Sequence, residues 1–210
     1  TFLSTKGYLD AAIDSYKHAI KIKPDYAEAY YNMGVVLNKK GELVAAIDSY
    51  KQAIKIKPDY TKAYNNIGLS LKGIIFKSPK ADLSEIIVKL LDEKSYFRPS
   101  DIAPAAISLI KLDDFFQSVL NRFYSGDLEQ ILEQSVSELF RIPLLLKLME
   151  SCPINDLEVE WLLIYLRSAI LNNFSQLSGS KETLAFQAAL ALQCFTNEYI
   201  YTQADEDAKI

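Results

Sequence analysis

Few residue patterns in this sequence could support catalysis. His18 is the only histidine among the 210 residues, which excludes a paired-histidine metal site and leaves at most one histidine-assisted nucleophile. The acidic pairs at residues 92–93 and 113–114 could be imagined as an acid and a base, but successive side chains on a helix point about 100° apart. We therefore place these acids at helix ends and predict that His18 is a solvated surface residue.

Cofactor chemistry also lacks a motif. The patterns GxGxxG, GxxxxGK[ST] and GxSxG do not occur, so no cradle for a phosphate or for S-adenosylmethionine is predicted. Cys152 and Cys194 lie far apart without a CxxC pair, which is typical of reduced, buried thiols in a reducing compartment. From these residues we predict no catalytic residue, no metal site and no cofactor, and hence no enzymatic activity of this fragment.

Binding chemistry is better represented, and it centres on two asparagines. Asn32 and Asn66 lie 34 residues apart, each two residues before a glycine. An asparagine amide both donates and accepts hydrogen bonds, so a row of asparagines can bind the backbone of an extended peptide without reading its sequence. Alternatively, both residues serve the scaffold and contact no ligand. Further candidates for the same surface are Tyr31, Asn65, Asn38, Lys62, Lys72 and Glu28.

An internal repeat predicts the elements that position these side chains. Residues 7–40 and 41–74 align without a gap and are identical at about two thirds of their positions, including the segments AAIDSYK and AIKIKPDY. A period of 34 residues is typical of stacked helical repeats. Within one repeat, the apolar spacing predicts amphipathic helices over 27–40 and 42–56, separated by Gly41 and ended by Pro58.

Small and aromatic positions predict how the two helices pack. Gly34 and Ala46 allow the two backbones to approach closely, Tyr50 supplies bulk, and Ala53 leaves room for the next repeat. Pro58 ends the second helix because proline cannot continue the hydrogen-bond ladder. This pattern resembles the tetratricopeptide repeat family, whose signature falls here on Tyr30, Met33, Gly34, Leu37, Ala46, Tyr50, Ala53 and Pro58.

The resemblance covers roughly residues 1–74 and includes two departures. The segment TFLSTKG aligns with VVLNKKG, so Thr1 is expected in the middle of a helix whose first half precedes it. The third repeat keeps its first helix and then loses the signature. A variant helix is predicted there over 79–93, with Ser78 as its N-cap and Pro79 in its first turn.

The family resemblance also implies a place for the asparagines. The first helices of such repeats line the concave face of the stack, and corresponding residues lie above one another. Asn32 and Asn66 then resemble the asparagine ladder in the repeats of O-GlcNAc transferase. A clamp for two carboxylates would need several inward basic residues, and only Lys62 and Lys72 qualify, so no clamp is predicted.

Charge and hydropathy exclude other classes of partner. Residues 1–80 carry a net charge of +6 and residues 81–210 a net charge of −10. Because most lysines of the first part fall at predicted helix ends, we attribute them to the helix dipole and predict no nucleic-acid binding. No apolar run is long enough for a membrane span, so WLLIYL and IPLLLKLM are interpreted as buried helix faces. The absence of a signal peptide predicts a soluble, cytoplasmic protein.

The second half of the sequence is helical by its spacing and contains about six helices. Capping boxes predict helix starts at Asn155 with Glu158 and at Ser180 with Thr183. The segments RPSDIAPAAISLI and IPLLLKLMESCPINDLEVEWLLIYLRSAIL resemble the linker between the repeats and the class I methyltransferase domain of large bacterial tetratricopeptide methyltransferases. This second resemblance implies a catalytic domain beyond Ile210.

The sequence therefore predicts an all-α protein. Residues 1–76 are expected to form a tetratricopeptide solenoid of about two and a half repeats, and residues 77–210 a compact helical bundle that packs on it. The predicted function is a non-catalytic scaffold that binds a protein or peptide partner in its concave groove. The alternative is the regulatory or substrate-recruiting fragment of a methyltransferase that uses S-adenosylmethionine. The oligomeric state is left open.

Overall fold

The structure is a computed structural model that describes residues 2–92, 98–173 and 179–193, with the side chains of residues 2–6 and 129 outside the description. The regular elements in these ranges are all helices, which confirms the predicted all-α class. The chain divides into two compact units. The first comprises Thr1–Ile74 and Glu93–Ile102, and the second comprises Ile75–Asp92 and Ala103–Ile210. None of the helices in the described ranges is long and apolar enough to span a membrane.

The first unit contains the repeat helices. They are α1 (Phe2–Ile22), α2 (Ala27–Lys39), α3 (Leu43–Ile56) and α4 (Thr61–Leu71). The predicted helices over 27–40 and 42–56 are therefore present with ends that differ by one residue. Gly41 joins α2 to α3 at φ +82°, a conformation that glycine adopts without a steric cost. Across this turn the N–H of Glu42 donates to the carbonyl of Leu37 at 3.0 Å.

The two KPDY segments form equivalent turns before α2 and α4. The N–H of Tyr26 donates to the carbonyl of Lys23 at 3.2 Å, and the N–H of Tyr60 donates to that of Lys57 at 3.1 Å. In each turn the lysine Nζ lies over the tyrosine ring, 5.4 Å from the centroid in the first and 5.2 Å in the second. Lys23 and Lys57 directly follow the last residues of α1 and α3, where a positive charge also interacts favourably with the helix dipole. Each of these lysines therefore has two favourable interactions, one with the helix end and one with a tyrosine ring.

Close packing between α2 and α3 depends on Gly34. A Cβ atom added to this glycine would lie 2.5 Å from Cε1 and 2.7 Å from Cδ1 of Tyr50. Tyr50 is almost completely buried, as are Ala46 and Ala53 on the same helix. The small residue at position 34 therefore makes room for an aromatic ring of the facing helix, in agreement with the predicted close approach.

The second unit consists of shorter helices. They are α5 (Ala81–Asp92), most of α6 (Pro99–Ile110), α7 (Asp114–Ser125), a 3-10 turn (Leu128–Ile131), α8 (Leu132–Phe140), α9 (Pro143–Ser151), α10 (Leu157–Asn172) and a helical segment at 181–193. In the described ranges, six α-helical segments follow residue 97, as predicted. Phe116 and Phe186 are among the largest fully buried side chains of this unit.

Two predicted helix starts are wrong, one by two residues and the other by one. Helix α5 begins at Ala81, and its first N–H groups, those of Leu83 and Ser84, donate to the carbonyl of Lys80. Ser78 and Pro79 precede the helix, so Ser78 is not its N-cap. The sequence is ambiguous here, because serine followed by proline is typical of a loop as well as of a helix start.

The start of α10 is also shifted from its prediction, by one residue. The N-cap is Asp156 instead of Asn155, and its Oδ1 accepts from the N–H of Val159 at 3.1 Å. Both residue types are good N-caps, so composition could not separate them. The predicted start at Ser180 is confirmed, because its Oγ accepts from the N–H of Thr183 at 3.2 Å.

The residues considered for catalysis occupy structural or surface positions. His18 is exposed, as predicted. Asp113 caps α7, where its Oδ1 accepts from the N–H groups of Phe115 and Phe116 at 2.9 and 3.3 Å. Cys152 is buried, and burial raises the pKa of its thiol to about 11. The other cysteine, at position 194, and the acid at position 93 lie outside the described residues.

Helix α10 departs from its predicted burial. The segment WLLIYL is predicted to be a buried face, and Leu162, Leu163 and Leu166 are indeed buried. Trp161 and Ile164 are exposed instead. The apolar residues of α10 cover both sides of the helix, so they cannot all face one core.

Candidate peptide-binding surface

The predicted binding residues come from the first helices of two consecutive repeats. Glu28, Tyr31 and Asn32 lie on α2 at the spacing i, i+3 and i+4. The corresponding residues on α4, Lys62, Asn65 and Asn66, have the same spacing one repeat later. Residues three and four apart share one face of a helix. We name these six residues the repeat surface.

Tyrosine side chains of the preceding repeat contact Asn66 on α4. The ring of Tyr31 lies 5.0 Å from that of Tyr60 and 5.8 Å from that of Tyr50, centroid to centroid, with tilts of 33° and 45°. Asn66 Nδ2 donates to the hydroxyl oxygens of Tyr31 and Tyr50 at 3.3 and 3.4 Å. Asn66 therefore joins α4 to both helices of the preceding repeat, and its amide nitrogen already has protein partners.

Asn38 has a similar connecting position. Its Nδ2 donates to Ser70 Oγ at 2.6 Å, and that hydroxyl donates to the carbonyl of Asn66 at 2.7 Å. Ser70 is buried and Asn38 is half-buried. The structure thus brings Asn38 against α4, which stabilises the packing between successive repeats and leaves less of its amide for a ligand.

Two tyrosines of this cluster, Tyr50 and Tyr60, have raised pKa values and therefore remain neutral at physiological pH. Burial raises the pKa of Tyr50 to about 12, with a smaller opposing contribution from the hydrogen bond of Asn66 and an upward one from Tyr31. The pKa of Tyr60 is also raised, first by burial and then by the nearby Glu28 carboxylate and Tyr31. Neutral hydroxyls both donate and accept hydrogen bonds, so this cluster can contact polar groups of either kind.

The two lysines predicted for this surface differ in position. Lys62 is exposed in the first turn of α4. Lys72 lies after the last residue of α4, and its Nζ is 3.7 Å from Oδ1 of Asp101 in the same unit. Because α4 ends at Leu71, Lys72 lies just beyond the helix, and its place on the peptide-binding surface stays a prediction.

Sequence reasoning missed two apolar residues that share this face. Val35 follows Tyr31 by four residues on α2, and Leu69 follows Asn65 by four residues on α4. Val35 is half-buried, whereas Leu69 is 63% exposed. The alignment of the two repeats places these residues at the same position, which is the signal that could have found them.

In the part of the chain that the structure describes, no group of three or more metal-binding side chains converges. The candidate site is therefore a protein surface of polar, aromatic and apolar groups on neighbouring helices. Such a surface can hold an extended chain through hydrogen bonds and side-chain contacts.

Comparison with known families agrees with this architecture. Residues 5–41 match the family model described as TPR repeat, and residues 27–60 match the one described as tetratricopeptide repeat. No curated protein and no solved structure matches the chain significantly. Within the first unit, residues 5–60 thus match tetratricopeptide repeats. Modules of this kind generally serve as protein-interaction scaffolds without catalytic activity.

Proposed function

We propose that the tetratricopeptide repeats bind an extended segment of a partner protein on the repeat surface. The observation that supports this most is that the first helices of two consecutive repeats each carry an asparagine, Asn32 on α2 and Asn65 on α4. Both are half-exposed, and neither makes a side-chain hydrogen bond to the residues that the structure describes. Their amides thus have donors and acceptors to offer to a peptide backbone.

The proposed site contains the two asparagines of the predicted ladder and one further asparagine. Asn32 and Asn66 form the predicted ladder, and Asn65 supplies a second amide on α4. Because the Nδ2 of Asn66 bonds two tyrosines, this residue offers its carbonyl oxygen to the peptide and positions the aromatic rings. Asn38 and Lys72 lie at the edge of the surface and contribute less, since each has a protein partner.

The direct experiment is affinity selection with a library of unstructured peptides, followed by titration of the hits against matched variants. Each net hydrogen bond contributes about 0.5–1.5 kcal/mol, so the Asn32→Ala, Asn65→Ala double variant is expected to bind about 5- to 150-fold more weakly. Gln52→Ala is the control, because Gln52 is exposed on α3, outside the repeat surface. Unchanged affinity of the double variant for every hit would refute the binding site.

Asn66→Ala needs a separate control because it also removes contacts within the protein. We expect this variant to lose peptide affinity and some thermal stability together, whereas Asn32→Ala should lose affinity alone. A library that yields no peptide bound by the wild type more tightly than the double variant would contradict the proposed function.

The methyltransferase alternative stays a prediction from the sequence. The two family matches lie within residues 5–60, and they do not bear on methyl transfer. Its test is the gene sequence that follows Ile210, where a strand and a glycine-rich loop would support it and a stop codon would count against it.

A further inference from the structure

Helix α10 presents apolar side chains on two opposite faces. One face is buried in the second unit and consists of Val159, Leu162, Leu163, Leu166, Ala169 and Ile170. On the other face Leu157 is 69% exposed, Trp161 59%, Ile164 43% and Leu171 64%. Large apolar side chains that gather on one exposed helix face indicate a contact surface, whereas single ones do not. We name Leu157, Trp161, Ile164, Ser168 and Leu171 the outer stripe.

The spacing of the outer stripe is that of a helix-pairing seam. Its members follow one another at alternating steps of four and three residues, from position 157 to position 171. This is the a/d pattern along which two helices pack side by side. Ser168 is the one small and polar member. The seam is therefore bulky before Ile164, at Trp161, and has a gap after it, at Ser168.

Charged residues beside the stripe select the direction of a partner helix. Glu160 and Arg167 both flank the stripe on the same side, because residues seven apart lie on one face of a helix. In a parallel second copy the equivalent residues lie on opposite flanks of the seam, so Glu160 would face Tyr165 and Arg167 would face Asn172, and no opposite charges would meet. In an antiparallel second copy, Glu160 lies opposite Arg167 twice, by symmetry.

The side chains of the stripe also complement one another in the antiparallel arrangement. Pairing about Ile164 sets Trp161 opposite Ser168 and Leu157 opposite Leu171. The largest side chain thus meets the smallest one, and the two terminal leucines meet. A parallel pair would instead bring two tryptophans together at one level and two serines at another.

We propose that the outer stripe is a homodimer interface in which the α10 helices of two copies pack antiparallel. This inference concerns the second unit and does not depend on peptide binding at the repeat surface. The occupant of the stripe is a second copy of this chain, because charge and size are both self-complementary along it. Isologous contacts of this kind close at two copies.

Sedimentation equilibrium and fluorescence test this interface on the intact chain. We expect the mass to rise with concentration from 23.7 kDa to twice that value. Trp161 is the only tryptophan, so its emission should shift to shorter wavelength over the same concentration range. A monomeric mass at every concentration would overturn the proposal. This holds even if the emission of Trp161 is at short wavelength, because the indole would then be buried within a single copy.

Ile164→Glu is the disruptive variant, since two carboxylates would face each other at the centre of the interface. We expect the dimer dissociation constant to rise at least 100-fold. Val44→Glu is the matched control, because Val44 is β-branched, helical and 46% exposed on α3, and it should leave the constant unchanged. A dimer that survives Ile164→Glu would show that the copies pair elsewhere and would overturn the proposal.

Charge reversal tests the antiparallel direction with variants that keep the apolar stripe. Glu160→Arg alone and Arg167→Glu alone should each weaken the dimer about tenfold, because like charges then face each other. The double variant Glu160→Arg, Arg167→Glu should recover the wild-type dissociation constant. Losses that simply add in the double variant would contradict antiparallel pairing.

Discussion

Substitution of Gly34 by alanine tests the packing between α2 and α3 that holds the repeat surface in place. The added Cβ would lie 2.5 Å from Cε1 of Tyr50, whereas carbon atoms in ordinary contact are about 3.5–4.0 Å apart. The ring or the helix must therefore move by about 1 Å. Tyr50 is only 1% exposed and contacts Tyr31 and Asn66, so a movement disturbs several contacts at once.

The expected effect is a difference between two opposing contributions. Overpacking of a well-packed core costs about 1–3 kcal/mol, and a displacement of this size by a buried ring corresponds to the upper part of that range. Replacing a glycine inside a helix by alanine increases the free energy of unfolding by about 1 kcal/mol. We therefore expect Gly34→Ala to reduce the free energy of unfolding by about 1–2 kcal/mol.

Gly7→Ala is the matched control for this substitution. Gly7 also lies inside a helix, α1, but no atom lies within 4 Å of the position of its added Cβ. This variant should gain up to about 1 kcal/mol, since only the helix propensity changes. Urea unfolding followed by far-UV circular dichroism gives the free energy for both variants.

The background Tyr50→Leu isolates the proposed contact. Without the aromatic ring, Gly34→Ala should become stabilising, so the sign of its effect should reverse between the two backgrounds. A Gly34→Ala variant that is as stable as Gly7→Ala in the presence of Tyr50 would refute the packing argument.

Two further predictions concern the second unit. The pKa of Glu158 is lowered by the hydrogen bond from Tyr124 and then by Lys111, so its contribution to stability is present above the pKa of the unfolded chain and is lost as the pH falls through the folded pKa. The urea midpoint of the wild type should therefore fall more steeply than that of Glu158→Gln between pH 5 and pH 3, and equal slopes would contradict this. Cys152 is buried, with its pKa raised to about 11, so in a Cys194→Ser variant the remaining thiol should react with Ellman's reagent at least 100-fold more slowly in buffer than in urea. Rapid labelling of the folded protein would show that this burial is wrong.

The repeat helices could be predicted because the residues that specify them act locally and recur in more than one repeat. Gly34, Tyr50 and Pro58 recur at the same offsets in neighbouring repeats, and each position has a steric reason that does not depend on the rest of the chain. The small residue facing an aromatic ring is such a case. The fold class and the bounds of α2 and α3 followed from these positions. The alignment of Gly7 with Gly41 also predicted a turn at Gly7, and this is wrong, because α1 continues through that residue.

Side-chain partners across repeats could not be predicted in the same way. The bonds of Asn66 to Tyr31 and Tyr50 depend on the rotation of α4 against the preceding repeat, which the alignment does not specify. The ion pair of Lys72 with Asp101 likewise joins the end of α4 to a residue outside the repeat alignment. The outer stripe was missed because an apolar run such as WLLIYL has the same composition whether one face or two faces of the helix are covered.

Chemical-shift mapping of an isotope-labelled sample with a selected peptide is the most direct test of binding at the repeat surface. We predict that the largest amide shifts fall on α2 and α4, at and around Asn32 and Asn65, and that they disappear in the double variant of these two residues. Shifts confined to helices α5–α10, or shifts on α2 and α4 that persist unchanged in the double variant, would contradict the account.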